Sequence, residues 1–379
     1  MKLASLPRKL VRALPYVGKE LRSIVSDRTP LFIAKPRVVH IWRSAPCNGR
    51  CVMCPQGFKT GDELKAISRS EFTDEMLTRV LPQIAELCGR GTMVSYMGGE
   101  PTLRPHLLEW VQTAGRLGLD FRFTTNGYRM TPQLAEQLVA AGLFNIGVSI
   151  ESLDPRINTL MRPYPDGTEL TTRAIDLMLN ERRRQHARLS VNVKSVLANV
   201  NLDSFEDIVR RWGKEDGVMV TPQTFEAQEG MEQASRDLLF IDDVKKVEEF
   251  VELVRGLKRE GFNIHITDQG LEDFLKFYRQ DQEHKATMHD KVLEMDPSVP
   301  PCNIGTDNLW IHEGMVRLCP YFPAIGDLTK GESTLKEIWE SESCKRAREE
   351  TRSCRRLCNI SCLRRTSFWH KAQTFLRIA

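Results

Sequence analysis

Short runs of β-branched and alternating apolar residues recur along the chain, each followed by a longer stretch with helical spacing. The first run, 37–42, reads Arg-Val-Val-His-Ile-Trp and leads into a loop. A helix is then expected from Thr73 to about Leu87, with Asp74 and Glu75 in its first turn, where the helix dipole favours acidic groups. A strand follows at 93–97, a helix at 105–117 and a strand at 121–125 that ends in the turn signal Asn126-Gly127. Thr131-Pro132 opens the next helix, and Ala141-Gly142 closes it. Strands at 145–150, 189–197 and 218–225 alternate with helices at 171–184, 202–212 and 242–260, and a short strand at 263–267 ends the series. Six alternations predict an α/β fold with a parallel sheet and right-handed crossovers. Eight such units close a TIM barrel, so six predict a partial (β/α)6 barrel with ligands at the C-terminal ends of its strands.

The same pattern divides the chain. Residues 1–36 form a basic extension in which Leu6, Leu10, Val11, Leu14, Val17 and Leu21 follow helical spacing. That helix either packs on the body or lies on an anionic membrane surface, a peripheral contact. Residues 37–280 hold the alternating elements, and 281–300 read as a polar linker. Residues 301–363 form a further module containing a hairpin at 309–318 that turns at Glu313-Gly314. The tail, 364–379, allows the same two readings as the first extension.

Composition narrows the function. Of 379 residues 41% are hydrophobic and 27% charged, ordinary values for a globular chain. The net charge of +4 gives no argument for a nucleic-acid partner. With neither a signal-like apolar run nor a stretch fit to span a bilayer, the expected location is the cytoplasm. The ten cysteines are grouped: Cys47, Cys51 and Cys54 early, then Cys302, Cys319, Cys344, Cys354, Cys358 and Cys362, with Cys88 between. Tight groups at short spacing read as metal ligands in a reducing compartment.

Cys47, Cys51 and Cys54 have the spacing C-x-x-x-C-x-x-C. Three thiolates on one loop can hold three irons of a cubic cluster that normally takes four cysteines, leaving one iron open. Zinc is the alternative, but it wants four ligands and the loop offers no fourth cysteine or histidine. Met97-Gly98-Gly99-Glu100-Pro101 follows at the next expected strand end. Together these residues resemble the radical S-adenosylmethionine (SAM) enzymes. The resemblance implies a partial barrel whose 4Fe–4S cluster on Cys47, Cys51 and Cys54 binds SAM through the open iron. One electron from a reductant such as flavodoxin or ferredoxin would cleave SAM to methionine and a 5′-deoxyadenosyl radical, which takes hydrogen from substrate. It also implies SAM contacts from Gly98, Gly99, Glu100 and Pro101, then Thr125, Asn126, Ser149 and Glu151. Arg162 and Lys194 are candidates for its carboxylate.

The late cysteines resemble the C-terminal auxiliary-cluster extensions called SPASM and Twitch. Six cysteines after residue 300 are too few for two clusters, so one auxiliary 4Fe–4S cluster of the Twitch kind is expected. Cys302 and Cys319 are its candidate ligands, with two of Cys354, Cys358 and Cys362, and spacing alone does not say which two. A structural zinc site is the competing reading. Cys344 and Cys88 are expected to be packed thiols. The substrate expected is a small molecule, a sugar or a lipid-linked molecule. A peptide substrate, or a regulatory protein without turnover, are the alternatives.

Overall fold

The computed structural model describes residues 35–44, 46–68, 72–225, 231–280, 297, 302 and 304–355. Both amphipathic ends, nearly all of the expected linker, and Cys358 and Cys362 lie outside the described residues.

Nine strands form one sheet in the order β6-β5-β4-β3-β2-β1-β7-β8-β9. The six expected strands are β1 (Val38–Trp42), β2 (Met93–Met97), β3 (Asp120–Thr125), β4 (Asn145–Ser149), β5 (Ser190–Leu197) and β6 (Val218–Thr224). Each pairs in parallel with the next. An unreversed order of right-handed crossovers puts every connecting helix on one side of the sheet. The strands show the consequence. Val39, Ile41, Val94, Tyr96, Phe121, Phe123, Ile146, Val148, Val191, Val193 and Val220 are all buried on the helix side. The opposite face carries His40, Ser95, Arg122 and Asn145 in one register row, and Ser149, Lys194 and Thr221 in another. A sheet apolar on one face and polar on the other curls with its helices outside, which is the expected partial barrel.

The connecting helices are α1 (Gly61–Ser68), α2 (Asp74–Cys88), α3 (Leu107–Leu117), α4 (Pro132–Ala140), α5 (Pro155–Met161), α6 (Gly167–Arg184) and α7 (Phe205–Trp212). After β6 come α8 (Gln233–Leu239), α9 (Val244–Arg259) and α10 (Asp268–Gln280). The expected strand at 263–267 is reduced to one bridge between Val220 and Ile264. Asn263 O and His265 N bond Val220 at 2.9 and 2.7 Å, and Thr267 then caps the start of α10 by accepting from Gly270 N at 2.9 Å.

The hairpin of the late module comprises β7 (Asn308–His312) and β8 (Met315–Arg317), followed by β9 (Gly326–Asp327). It turns at Glu313 (φ 50°) and Gly314 (φ 80°), the pair of left-handed residues that a two-residue hairpin favours. β7 pairs in parallel with β1, so the boundary read near residue 300 does not divide the sheet. The pairing covers a strand edge that would otherwise present unpaired backbone groups. α11 (Ile304–Asp307), α12 (Leu335–Glu340) and α13 (Glu342–Ser353) complete the described chain.

At the β1–β7 seam His40 Nε2 bonds Asn308 Oδ1 at 3.1 Å, and its ring stacks on Trp310 at 4.2 Å. Burial, reinforced by the charges of Arg122 and Lys194, lowers the His40 pKa to about 3. The unfolded imidazole, near 6.5, takes up a proton that the folded one refuses. The contribution of His40 to stability is therefore complete above pH 6.5 and falls as pH drops toward 3, by up to about 1.4 kcal/mol per pH unit. Urea unfolding at several pH values in that window is expected to show a shallower fall for His40→Gln than for the parent. Parallel curves would contradict it.

Candidate functional site

The cysteine loop leaves β1 at Trp42 and is held from both sides. Arg43 N donates to Met97 O of β2 at 3.1 Å, and Glu313 N of the hairpin donates to Trp42 O at 3.0 Å. The Glu313 carboxylate accepts from Ser44 N. Tight turns then carry the thiols: Cys54 N donates to Cys51 O at 3.1 Å, and Gly57 N to Cys54 O at 2.8 Å. A Cβ on Gly57 would lie 2.0 Å from Cys51 O, so this turn requires glycine. Val52 N donates to Met161 O at 3.0 Å, docking the loop on the end of α5.

Cys47, Cys51 and Cys54 are free thiols. Cys47 and Cys51 border one small space at Gly49, where a Cβ would meet Cys51 Sγ at 3.5 Å and Cys47 Sγ at 3.7 Å. Burial, with added repulsion from Glu100, Cys51 and Cys54, pushes the Cys47 thiol up to about 12, and burial also raises Cys54. Burial thus opposes ionisation of Cys47 and Cys54, and such thiols become thiolates beside strong positive charge, which bound iron supplies. Among the described residues no three His, Cys, Asp or Glu side chains gather closely enough to ligate one metal ion. Ligands of a single zinc stand within about 4 Å of each other, given Zn–S bonds of about 2.3 Å. Three thiols with no fourth cysteine or histidine in the loop leave zinc one ligand short but match a four-iron cube with one iron open.

Gly98 follows β2 with φ 102°, and a Cβ there would lie 2.0 Å from Arg43 O. Gly99 is also left-handed, at φ 49°. Glu100 and Pro101 come next, with Pro101–Leu103 forming a 3-10 turn. The Glu100 carboxylate is 2% exposed and faces the protein. It accepts from Thr102 N at 3.0 Å, Thr102 Oγ1 at 2.7 Å, Thr125 Oγ1 at 2.6 Å and Asn126 N at 2.8 Å. Burial raises its pKa, and these four donors oppose the rise. Glu100 and Thr125 thus lock the end of β2 to the end of β3. Asn126 extends the lock to the cysteine loop, since its Nδ2 donates to Asn48 Oδ1 at 2.8 Å.

Glu151, just past β4, plays the same part on the other side. Its fully buried carboxylate accepts from Arg162 Nε at 2.7 Å, Val196 N at 2.5 Å and Ser195 Oγ at 3.4 Å. Burial pushes its carboxyl up, and the Arg162 charge pulls it back. Arg162 then donates from Nη1 to Cys51 Sγ at 3.3 Å. The carboxylates of Glu100 and Glu151, expected from the resemblance to contact SAM, are both bonded to protein donors and brace the rim. Arg162 lies at the cysteine loop. Ser149 is buried and is the register partner of Lys194, whose ammonium donates to Thr124 Oγ1 at 3.0 Å.

The late cysteines that are described also converge. Cys302 N donates to Cys354 O at 2.7 Å. A Cβ on Gly305 would meet Thr351 Oγ1 at 2.5 Å and Leu318 Cδ1 at 3.3 Å. Segments carrying Cys302, Cys319 and Cys354 thus pack together at the base of the hairpin. Cys344 is wholly buried in α13, where burial raises its thiol to about 11. Cys88 is buried at the end of α2.

Comparison with known proteins agrees with this geometry. Residues 44–211 match the model of the Radical SAM superfamily. The AdoMet-dependent heme synthase of Methanosarcina barkeri is 23% identical over 329 residues, 86% of this chain and 88% of that protein. The mycofactocin maturase MftC of Mycobacterium tuberculosis is 28% identical over 170 residues, 44% of this chain and 40% of that protein. The crystal structure of Streptococcus suis SuiB bound to S-adenosylmethionine superposes with a TM-score of 0.61 at 14% identity, covering 92% of this chain and 74% of that one. At that identity the likeness to SuiB is one of fold.

Proposed function

From the premise of a radical SAM domain over residues 44–211, and so of an enzyme that uses a 4Fe–4S cluster and SAM, we propose a specific division of labour. The chain abstracts hydrogen from a small-molecule substrate and carries one auxiliary cluster on its late cysteines. The observation that carries this is the convergence of the three early thiols with Gly98, Asn126 and Arg162 on one rim of the barrel.

When bound, the cluster supplies an electron to the SAM sulfonium and so the 5′-deoxyadenosyl radical. The chain's own residues prepare for that step. Cys47, Cys51 and Cys54 hold the three irons. The Arg162 guanidinium, fixed by Glu151, stands beside Cys51 and offsets thiolate charge. Gly98 and Gly99 leave a backbone surface without side chains, on which SAM can lie closely. Ser149 and Lys194 flank the same rim as candidates for its polar groups.

For the second cluster we infer Cys302, Cys319 and Cys354 as ligands, with the fourth from Cys358 or Cys362. The Cys302–Cys354 backbone bond supports this set. After anaerobic reconstitution, a Cys302→Ser/Cys319→Ser chain is expected to hold about four irons in place of about eight, and still to cleave SAM. Unchanged iron would remove the auxiliary cluster from these residues. A small-molecule substrate is favoured because the relative named as a heme synthase aligns over 86% of the chain, whereas the named maturase aligns over 44%. Deuterium carried from a labelled candidate into 5′-deoxyadenosine would identify the substrate, and a candidate that transfers none is excluded.

A further inference from the structure

The turn of the β7–β8 hairpin sits where a loop tip seldom does. Connecting turns run over the protein surface, yet Gly314 is buried. A Cβ there would lie 3.2 Å from Phe72 Cδ2 and would strike the Thr329 methyl group. Gly314 O accepts from Leu328 N at 2.9 Å, and Phe72 O accepts from Arg43 Nε at 2.5 Å. The turn is therefore wedged against the first residues of the cysteine loop.

Its contact with that loop continues the β1–β7 ladder by other means. The register pairs Trp42 with His312, so Arg43 and Glu313 stand at the next rung. A parallel rung there takes two bonds, Glu313 N to Trp42 O and Ser44 N to the main-chain carbonyl of residue 313. The first is present at 3.0 Å. For the second, the chain turns at Glu313 with φ 50°, and Ser44 N donates to the Glu313 side-chain carboxylate. A carboxylate stands in for the carbonyl that the turn takes away.

The residue type runs against the turn. Left-handed positions of two-residue hairpins favour Asn, Asp and Gly, and a glutamate there is strained. Strain that the surroundings hold in place points to function. The carboxylate acts three residues before Cys47. Between them Pro46 O accepts from Glu100 N at 3.1 Å, so residues 42–46 are bonded to the hairpin on one side and to the end of β2 on the other. The Trp42 ring stacks on His312 at 5.2 Å, and its Cδ1 lies 3.0 Å from where a Cβ on Gly98 would stand. Cys302 precedes β7 and Cys319 follows β8, so the hairpin has late cysteines at its base and the early cysteine loop at its tip.

We propose that Glu313 is a positioning residue for SAM cleavage, whose carboxylate fixes how the cysteine loop leaves β1 and so where Cys47 stands against Gly98 and Gly99. The hairpin is then a strut between the two cysteine groups. Misplacing reacting groups by about an ångström costs about a hundredfold in rate, so one bond at the root of the loop has leverage. The role demands reach and an acceptor oxygen. Glutamine supplies both, whereas asparagine suits the turn and falls one methylene short. This inference rests on the radical SAM reading and adds to it a residue outside the matched segment 44–211.

The test compares anaerobically reconstituted parent, Glu313→Gln and Glu313→Asn. Formation of 5′-deoxyadenosine by the parent, with dithionite and SAM, is read first and tests the radical reading alone. Cleavage is expected to fall about tenfold or more in Glu313→Asn and to stay within about threefold of the parent in Glu313→Gln. Iron content and urea midpoint of Glu313→Asn are expected near those of the parent, because relief of the left-handed strain offsets the lost bond. The change that SAM makes in the electron paramagnetic resonance spectrum of the reduced protein reports the cluster that binds SAM. That change is expected to differ from the parent's in Glu313→Asn and to match it in Glu313→Gln. Parental cleavage by Glu313→Asn overturns the proposal, as does a Glu313→Gln chain that falls as far as Glu313→Asn. Losses of iron and of urea midpoint in Glu313→Asn that match the loss of cleavage make the residue merely structural and overturn it too. An iron-loaded parent that makes no 5′-deoxyadenosine contradicts the radical reading itself, and the proposal falls with it, whereas an active parent beside an equally active Glu313→Asn overturns the proposal alone.

Discussion

A Gly98→Ala chain is expected to lose SAM cleavage roughly a hundredfold, the penalty of misplacing reacting groups by about an ångström. Two independent faults combine. The backbone at φ 102° is a conformation that alanine adopts only under strain, costing about 1–3 kcal/mol. The new methyl carbon would also stand 2.0 Å from Arg43 O, a backbone atom that cannot swing aside. Arg43 opens the cysteine loop, and its own side chain is tied to Asp74 and to Phe72 O. The strand end and the loop must therefore separate, carrying the proposed SAM surface away from the thiols. Iron content of the variant should stay near that of the parent, while 5′-deoxyadenosine production collapses. Cleavage within about threefold of the parent would show that the close approach at Gly98 does not shape the site.

Glu151→Ala is expected to cost about 3–5 kcal/mol of stability, the usual result of stripping one partner from a buried ion pair. Arg162 would remain beside Cys51 with its charge unanswered, and Val196 N would lose its acceptor. The same change frees the guanidinium that steadies the cysteine loop. A lowered urea midpoint is expected together with a shifted reduction potential of the cluster. Glu151→Gln should recover part of the stability, because an amide oxygen can still accept from Arg162 and Val196. A Glu151→Ala chain as stable as the parent would mean that Arg162 finds its charge balance elsewhere.

The sequence carried the chemistry more openly than the architecture around it. The C-x-x-x-C-x-x-C loop and Gly98-Gly99 are local patterns, and local patterns are readable because their geometry is set by neighbours in the chain. The Glu313-Gly314 turn was legible for the same reason. The pairing of β1 with β7 was not. His40 meets Asn308 across 268 residues, and nothing in either segment names the other. The roles of Glu100 and Glu151 were hidden for a related reason. Their bracing bonds come from Thr102, Thr125, Asn126, Arg162 and Val196, partners that the sequence around each carboxylate does not announce. The polar row on the second face of the sheet was missed, Lys194 apart, because strand alternation was read only for its apolar half. Arg122 and His40 occupy the other half, and a parallel sheet covered on both faces would have been apolar there too.

The central claim is that Cys47, Cys51 and Cys54 hold a cluster that breaks SAM. Anaerobic reconstitution followed by assay for 5′-deoxyadenosine, with dithionite and SAM, tests it most directly when parent and Cys51→Ser are run side by side. The expected result is 5′-deoxyadenosine from the parent and none from the variant, which also loses about four irons. Zinc in place of iron, or no 5′-deoxyadenosine from an iron-loaded parent, would contradict the account.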